Sequence, residues 1–192
     1  MIMESNRDFL PQKGHYNNLV CYKKSEVIFD LTYYFVQKWL SKGDRTVDQM
    51  IQAARSGKQN IAEGSAASTT SSETELKLIN VAKASLQELL VDYQDYLRVR
   101  NLPLWQQGSA AFEQVRKIGR EHNDAAFYRQ YFGRWTDVQA ANVAIILIKQ
   151  TDYLLFKLIE RLKADFLKNG GIREQMSAAR RQARNDHNKP TQ

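Results

Sequence analysis

A chain of 192 residues, 43% of them hydrophobic and 26% charged, is long enough to bury a core and does not have a disordered composition. Its single cysteine, Cys21, excludes a disulfide framework and is compatible with the reducing cytoplasm, where we expect the protein to reside. The net charge of +7 favours acidic partners, above all nucleic acid. No signal peptide is recognisable, and the longest uncharged apolar run, Val138 to Ile148, is too short to span a bilayer. No membrane partner is expected.

The first 40 residues divide into an arm and a helix. Residues 1–21 are polar and mixed, which predicts a loose N-terminal arm. Helical periodicity runs from about Tyr22 to Ser41, and Gly43 ends it. Asp44 or Thr46 can cap the following helix. The apolar face of the first helix comprises Ile28, Leu31, Phe35 and Trp39.

The second predicted helix combines an apolar stripe with many small residues. Gly57 in a helix interior costs about 1 kcal/mol relative to alanine, so we expect a close helix contact that offsets this cost. Gly64 follows the last periodic residue, which predicts a left-handed cap that ends the helix. The stripe comprises Val47, Met50, Ile51, Ala54, Lys58 and Ile61, and the small residues are Ala53, Ala54, Ser56, Gly57 and Ala62.

A polar turn, residues 65–72, separates the second helix from the third. Ser72 and Glu75 have the spacing of a capping box, which predicts the start of the third helix. This helix is expected to run to about Asn101. Its apolar face comprises Leu76, Ile79, Leu86, Leu90, Tyr93 and Leu97.

Two motifs in the second and third helices carry a resemblance. The first is Asn60-Ile61-Ala62-Glu63-Gly64, preceded by a looser match over residues 53–58, and the second comprises Ala82, Ser85, Leu86, Glu88 and Leu89. In this order and spacing they resemble the four-helix-bundle family of the 23S rRNA intervening-sequence proteins, which includes the accessory protein of diversity-generating retroelements. The likeness covers residues 16–100 and, by pattern only, 135–167. Residues 169–174 also resemble a C-terminal suffix, the four-helix-bundle suffix, found on some members.

The resemblance implies a fold, partners and a structural role for the motif residues. The motif residues with that role are Asn60, Glu63, Gly64, Ser85 and Glu88. For Asn60 and Glu63 we favour hydrogen bonds to neighbouring backbone that fix the turn into the third helix. The retroelement relative forms a five-fold ring that binds nucleic acid and a reverse transcriptase. A similar ring, a pentamer, is therefore expected here, with a reverse transcriptase or ribosomal RNA as its partner.

Residues 102–134 interrupt the long-helix pattern with a proline and three glycines. Two short helices are predicted within them, at Ala110 to Arg120 and at Asp124 to Phe132. Because the corresponding linker is usually shorter in the resembled family, we interpret residues 102–134 as an insertion. Its aromatic side chains are expected to pack over one end of the bundle.

The fourth long helix is predicted from about Thr136 to Leu167. Its segment Val143 to Ile148 is apolar on almost every side, one face more than a monomeric bundle can bury. This excess predicts a subunit interface and hence a homo-oligomer. Trp39 and Trp135 are expected to be core or interface anchors, and Asp152 to be paired or exposed.

Much of the positive charge lies at the C-terminus. Residues 168–192 contain six basic and two acidic residues, a net +4, and are predicted to form a basic suffix with a short helix and a disordered end. The predicted nucleic-acid-binding residues are Lys42, Arg45, Arg55, Lys58, Arg173, Arg180, Arg181 and Arg184. Arg55 and Lys58 also fit an ordinary solvated face, and the suffix arginines a solubilising end.

Nothing in the sequence favours an enzyme. The histidines His15, His122 and His187 are scattered, and the Glu-x-x-His pairs of di-iron bundles are absent. Neither a phosphate-binding glycine loop nor a recognisable nucleophile setting occurs. We therefore expect no catalytic residues, no metal and no cofactor.

Together these features predict an all-α, antiparallel up-down four-helix bundle over residues 22–167, with a short helical insertion and a basic suffix. The expected function is that of a noncatalytic homo-oligomer that binds RNA or DNA with low sequence specificity. The alternative is a structural oligomer that scaffolds a protein partner and has no nucleic-acid role. The choice between RNA and DNA is left open by the sequence.

Overall fold

The computed structural model describes residues 16–187, except the side chains of residues 169, 172, 173, 175 and 185–187. Within this range every regular element is a helix, so the predicted all-α class is confirmed. After a short 3-10 turn, Tyr16–Asn18, the α-helices are α1 (Val20–Trp39), α2 (Arg45–Ala67), α3 (Ser72–Val99), α4 (Ala110–Glu121), α5 (Ala125–Phe132), α6 (Asp137–Asn169) and α7 (Ile172–His187). The predicted arm, residues 1–21, lies mostly outside the described range, but helix α1 already begins at Val20.

The four long helices α1, α2, α3 and α6 enclose one core. Helix α1 packs against α2 and α6, and α3 packs against the same two helices. At the centre, the ring of Phe35 lies 4.9 Å from that of Tyr93 and 4.8 Å from that of Tyr96. The Tyr93 hydroxyl donates a hydrogen bond to Thr32 Oγ1 at 3.0 Å, so this buried phenol is satisfied. Within the described residues, no helix is long and apolar enough to cross a membrane.

Local side-chain caps explain where several helices begin. Asp44 caps α2 by accepting a hydrogen bond from the Thr46 backbone N–H at 2.9 Å, as predicted. The predicted capping box of Ser72 with Glu75 is wrong by one residue. Ser71 is the cap, because its extended backbone lets Oγ accept from the Thr74 N–H at 3.1 Å. Ser72 is thus already the first residue of α3.

The predicted left-handed cap at Gly64 is also wrong. Helix α2 continues through Gly64 to Ala67, and the glycine with a positive backbone φ next to this helix is Gly43, at +93°, which precedes its first turn. Gly64 is buried against α3, where a Cβ would lie 3.1 Å from Cδ1 of Ile79. The small residue therefore serves helix packing rather than helix termination.

Close approach of α2 and α3 is confirmed at Gly57. A Cβ placed there would lie 2.7 Å from Leu86 Cδ2, closer than real side chains approach. Beside it, the hydroxyls of Ser56 and Ser85 share a hydrogen bond of 2.9 Å between the two helices. Asn60 donates to the Ser56 carbonyl at 2.9 Å, which confirms its predicted bond to neighbouring backbone. The predicted role of this bond in fixing the turn into the third helix is wrong, because α2 continues to Ala67.

The insertion forms α4 and α5 close to the predicted bounds. Helix α4 packs on α6 and α5 packs on α1. As a result all six residues of Val143 to Ile148 are buried within a single chain. The argument that this segment requires a subunit interface is therefore wrong, because the insertion supplies the missing cover.

Three further expectations concern Asp152, the two tryptophans and the suffix. Asp152 is paired, since its Oδ1 accepts from Lys83 at 2.6 Å and from Gln87 at 2.7 Å. Trp39 and Trp135 are partly buried and pack against the core. The suffix helix, α7, spans Ile172–His187, and residues 188–192 of the predicted disordered end lie outside the described range.

Candidate anion-binding and nucleic-acid-binding surfaces

The cations predicted on and beside α2 do not converge. Lys42, Arg45 and Arg55 are exposed, and Arg55 lies about 15 Å along the helix axis from Arg45. Lys58 is half-buried, with its ammonium 4.4 Å from the centroid of the Phe29 ring, so it already has a cation–π partner. The structure therefore places these four predicted cations apart from one another, and they do not form one binding site.

The suffix arginines lie on α7. Arg180, Arg181 and Arg184 are exposed, and Arg180 and Arg184 share one face because they are four residues apart. Arg173 is in the first turn of the same helix, and its side chain is outside the described part of the chain. Before the helix, Gly170 has a φ of +68°, and the Glu174 carboxylate accepts from the Gly171 N–H at 3.0 Å.

A third group of cations, which we did not predict, converges between α1, α4 and α6. It lines a cavity of about 540 Å³, which we call the basic groove. Four cations contribute: Lys24, Arg116, Arg120 and Lys149. The other lining residues are Val20, Phe112, Asn123, Ile146, Gln150, Tyr153 and Leu154. Aspartate and glutamate do not occur among these lining residues, so the groove has a positive potential.

Lys24 is the deepest cation of the basic groove. It is only 4% exposed, and its ammonium donates hydrogen bonds to the Gly119 carbonyl and, at 3.0 Å, to Gln150 Oε1. Gly119 lies in the last turn of α4, where carbonyls lack partners within the helix. In the described structure no carboxylate pairs with Lys24, and burial lowers its pKa to about 8. This ammonium is hydrogen-bonded, but its charge is not neutralised.

The other groove cations are more accessible. Arg116 is half-buried and pairs with Glu113 at 2.9 Å, whereas Arg120 and Lys149 are exposed. Gln150 Nε2 donates to the Arg116 carbonyl at 2.8 Å, so Gln150 joins Lys24 to the backbone of α4. These contacts fix the inner wall of the groove. Arg120 and Lys149, which have long and flexible side chains, remain exposed at its mouth.

One polar atom of a groove-lining residue is unsatisfied. Asn123 Oδ1 is buried and has no hydrogen-bond partner in the described structure. Buried amide oxygens normally accept at least one hydrogen bond, so this atom is an exception, and its burial keeps it from contact with a molecule in the groove.

The opposite side of the molecule has the opposite charge. A cavity between α2 and α3, here called the acidic groove, is lined by Asp48, Glu88 and Asp92 together with polar and small residues. Burial, aided by the charges of Asp95 and Glu88, raises the pKa of Asp92. The motif residue Glu88 therefore contributes to an acidic surface, and the motif residue Glu63 is exposed.

Histidine and carboxylate positions do not form a metal site in the described residues, where no group of three such side chains could hold an ion. His122 stacks on Phe127 with ring centroids 3.7 Å apart. His15 and the His187 side chain lie outside the described part of the chain.

Comparison of the chain with protein-family models, with curated proteins and with solved structures finds no match. The resemblance to the intervening-sequence proteins therefore stays a prediction from the two motifs.

The basic groove was missed because its cations are far apart in sequence. Lys24 and Lys149 are 125 positions apart, and the two arginines lie in the insertion. One signal in the sequence could have indicated an anion site: Arg116 and Arg120 are four residues apart on one helix, and like charges at this spacing repel unless a partner lies nearby.

Proposed function

We propose that this protein is a noncatalytic nucleic-acid-binding protein, built as an antiparallel up-down four-helix bundle with α4 and α5 inserted. Its phosphate contacts come from α7 and the adjoining half of α6. The observation that carries the proposal is the exposed arginine group of α7: Arg180, Arg181 and Arg184. Residues 149–184 contain nine basic and four acidic residues, a net +5 of the chain's total of +7. Such a concentration of charge favours phosphate.

The exposure of α7 supports a binding role. Its described side chains are exposed or half-buried, and helices in proteins gain most of their stability from tertiary packing. Repulsion between Arg180 and Arg184 weakens it further. Phosphate groups would remove that repulsion and stabilise the helix, so we expect binding to increase its order.

The cations predicted on and beside α2 are assigned a minor part in binding: Lys42, Arg45, Arg55 and Lys58. They are spread along the helix, and the acidic groove lies between α2 and α3. A phosphate backbone approaching this side would meet Asp48, Glu88 and Asp92. We therefore place the principal phosphate contacts away from the cations on and beside α2.

Salt-dependent binding tests the proposal. Labelled RNA and DNA of one sequence are titrated with the wild type and with Arg180→Gln/Arg181→Gln/Arg184→Gln, at about 50 and about 200 mM salt. We expect the triple variant to bind at least about tenfold more weakly, with a salt slope smaller by about 2 to 3. The matched control, Lys42→Gln/Arg45→Gln/Arg55→Gln, removes equal charge and should change affinity by less than about threefold.

Two results would contradict this assignment. Equal losses in the two triple variants would show that only net charge matters and that α7 is not the site. Absence of wild-type binding at low salt would overturn the function and favour the scaffold alternative.

We also propose that the chain forms a homo-oligomer, through a different surface from Val143 to Ile148. Phe156 is 46% exposed and Leu167 is 84% exposed, and their separation of 11 positions places both on one side of α6. Between them lies the ion pair of Glu160 with Lys163, at 3.1 Å. A second copy of this chain would cover the two apolar side chains. A ring, as the resemblance implies, would repeat α7 and strengthen weak phosphate contacts by avidity.

Light scattering after size exclusion tests this association. The wild type should have a mass above one chain at micromolar concentration. Phe156→Glu should reduce the mass to one chain, whereas Val91→Glu, at a valine that is 52% exposed on α3, should not. A wild-type mass of one chain would contradict the oligomer.

A further inference from the structure

The basic groove differs from the α7 surface because it is a concave site with an inner wall fixed by hydrogen bonds. Lys24 from α1, Gln150 from α6 and the Gly119 carbonyl from α4 are linked to one another. Three helices thus hold the floor in place before any ligand arrives. Preorganised groups of this kind bind with a smaller loss of side-chain entropy than flexible surface residues.

The charge of the groove calls for an anion. A buried ammonium without a carboxylate partner is unfavourable, and the neighbouring cations Arg120 and Lys149 add repulsion. Arg116 is partly neutralised by Glu113, so about three positive charges remain uncompensated at the site. An anion bearing two or more negative charges would neutralise them.

The remaining walls indicate what the anion is attached to. Phe112 and Tyr153 contribute aromatic surface, and Val20, Ile146 and Leu154 contribute aliphatic surface. The volume of about 540 Å³ is within the range of small-molecule sites and exceeds what an inorganic phosphate occupies.

From these features we propose that the basic groove binds a nucleoside diphosphate or triphosphate. The phosphates lie against Lys24, Arg116, Arg120 and Lys149. The base packs on the apolar wall beside Phe112. This site uses none of the α7 arginines, and of its four cations only Lys149 lies within residues 149–184 of the proposed nucleic-acid surface.

Isothermal titration of the full chain with ADP tests the proposal. Arg120→Gln/Lys149→Gln removes two exposed charges at the mouth and should weaken ADP binding at least about tenfold. The control Lys77→Gln/Lys117→Gln removes two exposed charges outside the groove, one of them on α4 itself, and should stay within about twofold. Because all four positions are exposed, we expect both double variants to fold.

Two further ligands separate the phosphate contacts from the base contacts. Adenosine should bind much more weakly than ADP, and inorganic pyrophosphate should fall between them. Phe112→Ala should weaken ADP binding and leave pyrophosphate binding unchanged. Equal affinity for pyrophosphate and ADP would overturn the nucleoside assignment. Absence of wild-type binding at millimolar ADP, or equal losses in both double variants, would overturn the site.

Discussion

The side-chain oxygen of Asn142 accepts a hydrogen bond from the backbone N–H of Trp105 at 2.7 Å. The amide nitrogen of the same side chain donates to the carbonyl of Pro103 at 2.9 Å and to that of Val138 at 2.9 Å. Asn142 is 1% exposed. One buried side chain on α6 therefore satisfies two backbone groups of the loop that leads into α4, and it fixes where the insertion begins.

Replacing this amide by a carboxylate should be strongly destabilising. In Asn142→Asp an oxygen replaces the donor nitrogen and faces the carbonyls of Pro103 and Val138. We expect a loss of about 3 kcal/mol in the free energy of unfolding, measured by urea denaturation. Asn80→Asp is the control, because the Asn80 amide donates to the Leu76 carbonyl on an exposed face. A similar loss in both variants would contradict the anchoring role.

Gly57→Ala should destabilise the protein although alanine favours helices. The new methyl group would overlap Leu86, which is fully buried and cannot move aside without disturbing the α2–α3 contact. We expect a net loss of about 2 kcal/mol, after the gain of about 1 kcal/mol in helix propensity. Gly133→Ala is the comparison, since a Cβ there meets nothing within 4 Å. A higher melting temperature for Gly57→Ala would show that the packing is looser than described.

The stability of the chain should respond to pH through Lys24. Its pKa is about 8 in the folded protein and 10.5 in an ordinary lysine. Between these values the unfolded chain binds more protons, so the contribution of Lys24 to stability increases as pH rises. Cys21 and Tyr22 act in the opposite direction above about pH 9, because burial raises the pKa of each in the folded state.

Comparison of the wild type with Lys24→Met isolates the effect of Lys24 on the pH dependence of the free energy of unfolding. The other groups are common to both proteins, so their effects cancel in the difference between the two free energies of unfolding. From about pH 7.5 to about pH 9.5 this difference should shift by about 1 to 2 kcal/mol in favour of the wild type. A difference that stays constant over this range would show that Lys24 titrates normally.

Cys21 should be almost unreactive in the folded chain. It is 5% exposed, and burial raises the pKa of its thiol from 9.0 to about 11. Only the thiolate is nucleophilic, so the reactive fraction at about pH 8 falls by about 100-fold. Ellman's reagent should therefore react slowly with the native protein and rapidly after denaturation. Equal rates before and after denaturation would contradict the described burial.

The sequence predicted the elements that depend on local signals. Helices α4, α5 and α6 begin and end within about two residues of the predicted positions, because periodicity and side-chain caps act within one or two turns. Asp44 was named among the candidate caps for the same reason. Asp152 was expected to be paired or exposed, since a carboxylate in the middle of a long helix needs solvent or a partner, and it is paired.

The errors arose where the decision depends on a distant part of the chain. A glycine before a serine-rich turn has the local pattern of a cap, and only the contact of Gly64 with Ile79 shows that it is a packing residue. The apolar segment Val143 to Ile148 requires cover, but its sequence does not show whether a second subunit or the insertion supplies it. The basic groove was missed for the same reason, since only the fold brings Lys24 and Lys149 together.

The cover over α6 has a consequence for how the chain is made. In the described structure α6 packs mainly against α1, α3 and α4, and all three precede it in the sequence. During synthesis these partners leave the ribosome before Val143 to Ile148. We therefore expect the most apolar stretch of the chain to be exposed to other nascent chains only briefly, which would limit aggregation.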